Sequence, residues 1–114
     1  MNSCIFCDIL TGKVKSTPVY QDDQVYAFTD VNPKAPVHVL IIPRQHVSSV
    51  MDVQAKDLPL FTALYSAAQK IAKDKGVDQN GFRLVINNGP DAGMAVHHLH
   101  LHLLAGRKLG WPPG

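Results

Sequence analysis

The 114-residue chain has room for one domain, residues 1–114, and its 46% hydrophobic content is enough for a single core. A net charge of +2, with lysines and arginines scattered singly, excludes the basic stripe that tracks a phosphate backbone, so no polymeric nucleic acid is expected as a partner. The chain has neither a run of about eighteen apolar residues nor a basic leader followed by an apolar stretch, so no membrane partner is expected and the reading is of a cytoplasmic protein.

Residues 4–10 read as a short helix that stops at Thr11-Gly12, where glycine ends it. Residues 19–21 and 25–28 read as strands, and the Asp22-Asp23 turn signal between them predicts an antiparallel hairpin. The prolines at 33 and 36 make residues 30–36 a loop, and 37–42 follow as a strongly apolar strand closed by Pro43. Between Asp57 and Gly76, Phe61, Leu64, Ala68, Ile71 and Ala72 recur at helical steps, with Asp57 as the expected N-cap and Pro59 in the first turn. Residues 82–86 are a further strand, 87–93 a glycine-rich turn and 96–104 the last strand. The expected class is α+β: a five-stranded antiparallel sheet with one main helix on a face and a short N-terminal helix.

Histidine is the unusual component. Four of the six, His97, His98, His100 and His102, fall within six consecutive positions. On a strand, side chains alternate faces, so His98, His100 and His102 share one side about 7 Å apart while Leu99, Leu101 and Leu103 form the apolar reverse. His97 falls outside that row, with no role assigned. Three adjacent imidazoles crowd positive charge when protonated, a poor choice for packing and a reason to read the cluster as functional. Two chemistries suit it, a catalytic metal held through imidazole nitrogens or a neutral imidazole acting as nucleophile, and the spacing leaves both open. The two cysteines, Cys4 and Cys7, exclude a disulfide framework, and a lone Cys-x-x-Cys pair is equally at home in redox and metal chemistry.

The wider pattern narrows these choices. His98-Leu99-His100-Leu101-His102-Leu103-Leu104 fits His-φ-His-φ-His-φ-φ, where φ is hydrophobic, and so resembles the histidine-triad signature. Residues 27–36, 38–46, 82–89 and the ending Trp111-Pro112-Pro113-Gly114 are similar to the nucleotide-binding (Hint) branch of that family, so the resemblance covers nearly the whole chain. It implies a purine nucleoside phosphoramidate hydrolase, acting on adenosine monophosphoramidate or aminoacyl-adenylate-like compounds, with AMP, GMP and their derivatives as ligands. In that reading His100 is the nucleophile at the α-phosphorus, and His102, the Gly93 backbone N–H and the Asn87 side chain donate to phosphate oxygens. His38 and His98 support the site, Asp30 grips the ribose hydroxyls, and Ile5, Phe6, Ile9, Val14, Phe28, Val31 and Leu40 form the base pocket, with Val96 beside the nucleotide.

The resemblance also implies a homodimer that joins two sheets into a larger one through the main helix and a sheet edge. No catalytic cofactor is implied. Some bacterial members bind a structural zinc at the positions of Cys4, Cys7, His46 and His98. The chain departs from the branch at Met94 and Ala95, where many members carry glutamine and serine. Losing the serine hydroxyl weakens leaving-group departure and keeps a second reading open, a nucleotide-binding regulatory module with vestigial hydrolysis. A metal-dependent hydrolase using His98, His100 and His102 as ligands is the third.

Overall fold

Proline placement and the two-residue period of the strands decide where the sheet begins and ends. The computed structural model describes residues 4–114. After a short helix α1 (Ile5–Leu10) come strands β1 (Pro18–Gln21), β2 (Val25–Thr29) and β3 (Val37–Pro43), the long helix α2 (Pro59–Asp74), then β4 (Phe82–Val85) and β5 (Leu101–Ala105). The order across the sheet is β1-β2-β3-β5-β4, and every pairing is antiparallel. The β1–β2 hairpin turns where the paired aspartates predict it, with the Asp22 carboxylate accepting the Gln24 and Val25 N–H groups at 2.8 and 2.9 Å.

Register gives the two faces of the sheet different work. Val25, Ala27, Val39, Ile41, Leu101 and Leu103 point to one side and pack on Leu60, Leu64, Ala67, Ala68, Ile71 and Ala72 of α2. Each fully buried leucine or isoleucine there contributes about 1.5–3 kcal/mol. On the other face Phe28 lies opposite Leu40, and Leu40 opposite His102, so one parity brings apolar and imidazole side chains together. Phe6 from α1 covers the apolar half of that face.

Helix α2 ends in a Schellman motif at Gly76, whose φ is +71°. The Val77 N–H reaches the Ala72 carbonyl at 2.9 Å and the Gly76 N–H reaches Lys73 at 3.1 Å. Its start differs from expectation: Leu58, not Asp57, is the N-cap. Asp57 closes a preceding 3-10 turn (Ala55–Asp57) instead, its carboxylate accepting the Gln54 N–H at 3.2 Å. With Pro59 as the first helical residue, one of the amides a cap would serve is already absent.

The last strand is also shorter than the expected 96–104. Pairing begins at Leu101, opposite Ile41, and residues 96–98 form a bend. Extending the ladder would set Leu99 against Pro43, which has no N–H to give. The Leu99 N–H turns to the Val47 carbonyl at 2.7 Å, and the Pro43 carbonyl is taken by the His98 ring at 2.9 Å. Among the described residues no helix is long and apolar enough to cross a membrane.

Candidate active site

The bend before β5 breaks the expected row of three imidazoles. His98 and His100 precede the strand and only His102 lies within it. The rings of His100 and His102 stay close, with centroids 5.0 Å apart, while His98 turns toward the two cysteines. The three rings therefore do not converge on one point, which removes the geometric basis for a three-histidine metal centre.

What each ring can do follows from its hydrogen-bond partners. A carbonyl only accepts, so His100 Nδ1, 2.7 Å from the His98 carbonyl, carries the proton and the lone pair is left on Nε2. The Lys34 amide donates to His38 Nδ1 at 3.0 Å, which puts the His38 proton on Nε2. That Nε2–H donates to His102 Nδ1 at 2.9 Å, so His102 presents an N–H at its own Nε2. One ring thus offers a lone pair and its neighbour a donor. The Asp30 carboxylate stands behind this relay, one oxygen 3.4 Å from His38 Nε2 and the other accepting the Asn32 N–H at 2.8 Å.

His102, His38 and His98 avoid the charge crowding that the sequence pattern raises. Burial, together with the neighbouring His100 and His38, lowers the His102 pKa to about 4 against the opposing pull of Asp30. Burial also lowers His38, where Asp30 pulls up and Lys34 down. It lowers His98 too, reinforced by His46 and His100 and opposed by the bond to Pro43. All three are neutral at pH 7.

Beside the rings lies an apolar cluster. Phe6, Phe28, Leu40 and Ile42 form its buried centre, flanked by Ile9, Leu10, Tyr26, Val96 and Cys4. The Phe6 ring stands edge-on to Phe28 at 5.6 Å and to His100 at 5.1 Å. Five of the expected pocket residues, Phe6, Ile9, Phe28, Leu40 and Val96, are gathered here, while Ile5 and Val31 are exposed and Val14 is half-buried outside the cluster. Ile42 and Tyr26 join without having been expected, although their parity with Leu40 and Phe28 along the strands was a usable signal.

The turn after β4 carries the remaining residues. Asn87 is half-buried. Gly93 adopts φ +81°, and its N–H donates to the Pro90 carbonyl at 3.0 Å, so that amide is engaged inside its own turn and not turned to a phosphate. Met94 places its sulfur 3.5 Å from the Gly89 N–H, and Ala95 is exposed. His97 is exposed with Ala95, Val96 and Lys13 on an open cleft.

The fourth group is Cys4, Cys7, His46 and His98, whose donor atoms all lie within 4.8 Å of one another. His98 donates its Nε2–H to Pro43 and so points the Nδ1 lone pair into the group. From there it is 3.4 Å from Cys4 Sγ, 3.6 Å from Cys7 Sγ and 3.1 Å from His46 Nδ1, and Cys7 Sγ is 3.3 Å from His46 Nδ1. Zinc bonds of about 2.3 Å to sulfur and about 2.0–2.1 Å to nitrogen give tetrahedral edges of about 3.3–3.8 Å, close to this spacing. Burial and the neighbouring Cys4 sulfur push the Cys7 thiol up, with Asp8 adding to the effect, so a cation is what would hold that sulfur as a thiolate. The donor set fits a closed structural zinc site.

An antiparallel sheet that mounts a lone-pair imidazole beside an N–H imidazole, with a third ring turned away, defines a histidine-triad protein. The HIT domain family matches residues 11–109, and the chain belongs to it. It is 41% identical over 112 residues to the 14 kDa zinc-binding protein of Brassica juncea, covering 96% of this chain and 98% of that one. It is 39% identical over 112 residues to the adenylylsulfatase HINT1 of Arabidopsis thaliana, covering 96% of this chain and 76% of that one. The HIT family hydrolase from Legionella pneumophila has the same fold, with a TM-score of 0.96 at 42% identity over 98% of this chain and all of that one.

Proposed function

We propose that this protein hydrolyses purine nucleoside phosphoramidates at the α-phosphorus through a nucleotidyl intermediate on His100. The observation that carries the reading is the bond from His100 Nδ1–H to the His98 carbonyl, which leaves Nε2 as a buried, oriented nucleophile. Attack forms a P–Nε2 bond and breaks the P–N bond of the substrate, whose electron pair departs with the amine as it takes a proton from water. The His98 carbonyl then faces a ring that has gained positive charge, and accepting Nδ1–H stabilises it. Water breaks the P–Nε2 bond in the second step, releasing the nucleoside monophosphate and restoring His100. The His102 Nε2–H is available to a phosphate oxygen as charge develops there.

Asp30 keeps lone pairs free beyond its contacts with Asn32 and His38, which suits it to ribose hydroxyls. The apolar side chains of Phe6, Phe28 and Leu40, gathered beside His100, suit the apolar face of a purine base. Cys4, Cys7, His46 and His98 would hold a structural zinc, a reading supported by their spacing and by the zinc-binding name of the Brassica relative. The exposed Tyr65 of α2 and Phe82 of the edge strand β4 suit the homodimer contact. The cytoplasmic assignment stands as part of this proposal.

The test is turnover of adenosine and guanosine phosphoramidates, an aminoacyl-adenylate analogue and adenylyl sulfate, each with wild type and His100→Asn. Wild type should release AMP or GMP and yield a trapped nucleotidyl adduct, while His100→Asn should bind AMP without turning over. Normal turnover by that variant would overturn the reading. AMP binding without hydrolysis by wild type would favour the regulatory module, to which the missing hydroxyl at Ala95 points.

A further inference from the structure

We propose that the Cys4–Cys7–His46–His98 cluster is a positioning device for the nucleophile, so that metal occupancy sets the orientation and tautomer of His100. His98 belongs to both sites. Its ring is fully buried, with Nε2 on the Pro43 carbonyl and Nδ1 among the two sulfurs and His46. Its own carbonyl, 2.7 Å from His100 Nδ1, is the group that keeps the His100 lone pair on Nε2. The peptide that follows is held by Leu99, through its N–H to the Val47 carbonyl and its buried side chain.

A second link runs through α1. Its six residues are too few to persist as an isolated helix, and Cys4 and Cys7 bracket Phe6 on its first turn. The Phe6 ring stands edge-on to both His98, at 5.9 Å, and His100, at 5.1 Å. A cation that draws the four donors together therefore fixes the His98 backbone through its ring and the Phe6 wall through the cysteines. Without one, only weak sulfur–imidazole hydrogen bonds at 3.4 and 3.6 Å and the bond to Pro43 hold the His98 ring, and the ring and carbonyl gain freedom together. His98 is in this sense a positioning residue for the reaction, acting through His100.

The inference rests on His100 being the nucleophile, and the first readout does not depend on turnover. The protein is loaded with one equivalent of Zn²⁺, then stripped with a chelator, and compared with His46→Asn, which removes an exposed ligand that does not touch His100. Long-range nitrogen–proton NMR of the His100 ring should show a single Nδ1–H tautomer with zinc and a mixture of both tautomers without it. The kcat for a phosphoramidate should fall about tenfold or more, the scale of misdirecting a reacting atom, while KM and the Kd for AMP change by less than about threefold. Adding Zn²⁺ back to the stripped wild type should restore both.

An unchanged His100 tautomer in stripped protein that keeps its circular-dichroism spectrum would overturn the proposal, as would failure to bind Zn²⁺. A shift in KM and AMP affinity alone would also do so, since that would mean the cluster acts through Phe6 and not through the His98 carbonyl. Global unfolding of both the stripped wild type and His46→Asn would count against it too, because the metal would then hold the whole fold. If the loaded protein shows no turnover at all, the hydrolase reading fails while the tautomer result still decides this one.

Discussion

Lowering the pH from about 7.5 to about 5 charges His102 in the unfolded chain and leaves it neutral in the folded protein. Its pKa falls from the ordinary 6.5 to about 4, because burial and the rings of His100 and His38 disfavour the cation. The unfolded state then binds more protons across that window, so stability is complete above about pH 6.5 and is lost as pH falls toward about 4. With those two values the loss between about pH 7.5 and 5 is about 2 kcal/mol from this residue. His38 and His98, both lowered mainly by burial, push in the same direction. Urea unfolding of wild type and His102→Asn at the two pH values isolates the His102 part: wild type should lose about 2 kcal/mol more than the variant. Equal losses, or a His102 ring that titrates above about pH 6 by NMR, would refute the argument that burial keeps this ring neutral.

Phe6→Ala should cost about 3–5 kcal/mol of stability, since the ring is 6% exposed and wedged between Phe28, His98 and His100. The same variant should weaken AMP binding, and an unchanged melting temperature would show that α1 does not cover that face. Gly106→Ala places a Cβ 2.8 Å from the Pro36 Cβ at a residue with φ +97°, so both sterics and backbone oppose it. A loss of more than about 1 kcal/mol by denaturant unfolding is expected, and a neutral result would mean that the loop leading into β3 yields freely.

The elements that were legible from sequence are those whose side chains report their own environment. The leucines between the histidines, the apolar stretch through Ile41 and the helical recurrence around Leu64 each predict the face they occupy, and the core bears them out. The expected last strand is longer than the observed one because the histidine-leucine alternation continues upstream of Leu101, while the reason for stopping lies on another strand, at Pro43. The expected cap role of Asp57 falls one turn off because a carboxylate before a helix looks the same whether it caps that helix or the 3-10 turn in front of it. The partners that set the chemistry were not legible at all: the Lys34 amide, the Pro43 carbonyl and the His98 carbonyl are backbone groups, which every residue carries.

Those backbone groups give three equally spaced histidines unequal properties. Each imidazole has two nitrogens, and the partner of one dictates what the other presents. A carbonyl can only accept, so Pro43 leaves His98 with a lone pair facing the cysteines, and His98 in turn leaves His100 with a lone pair facing the site. His102 instead accepts from His38, whose proton is fixed on Nε2 by an amide that can only donate, and so it presents an N–H. Exchanging the partners of His100 and His102 would exchange the donor and the lone pair, with the same three residues in the same places. The separation of roles is thus carried for His98 and His102 by β3 and the loop before it, which supply Pro43, His38 and Lys34, and for His100 by the His98 carbonyl inside the motif, so substitutions on β3 that leave the triad untouched can still change which nitrogen of His102 carries its proton.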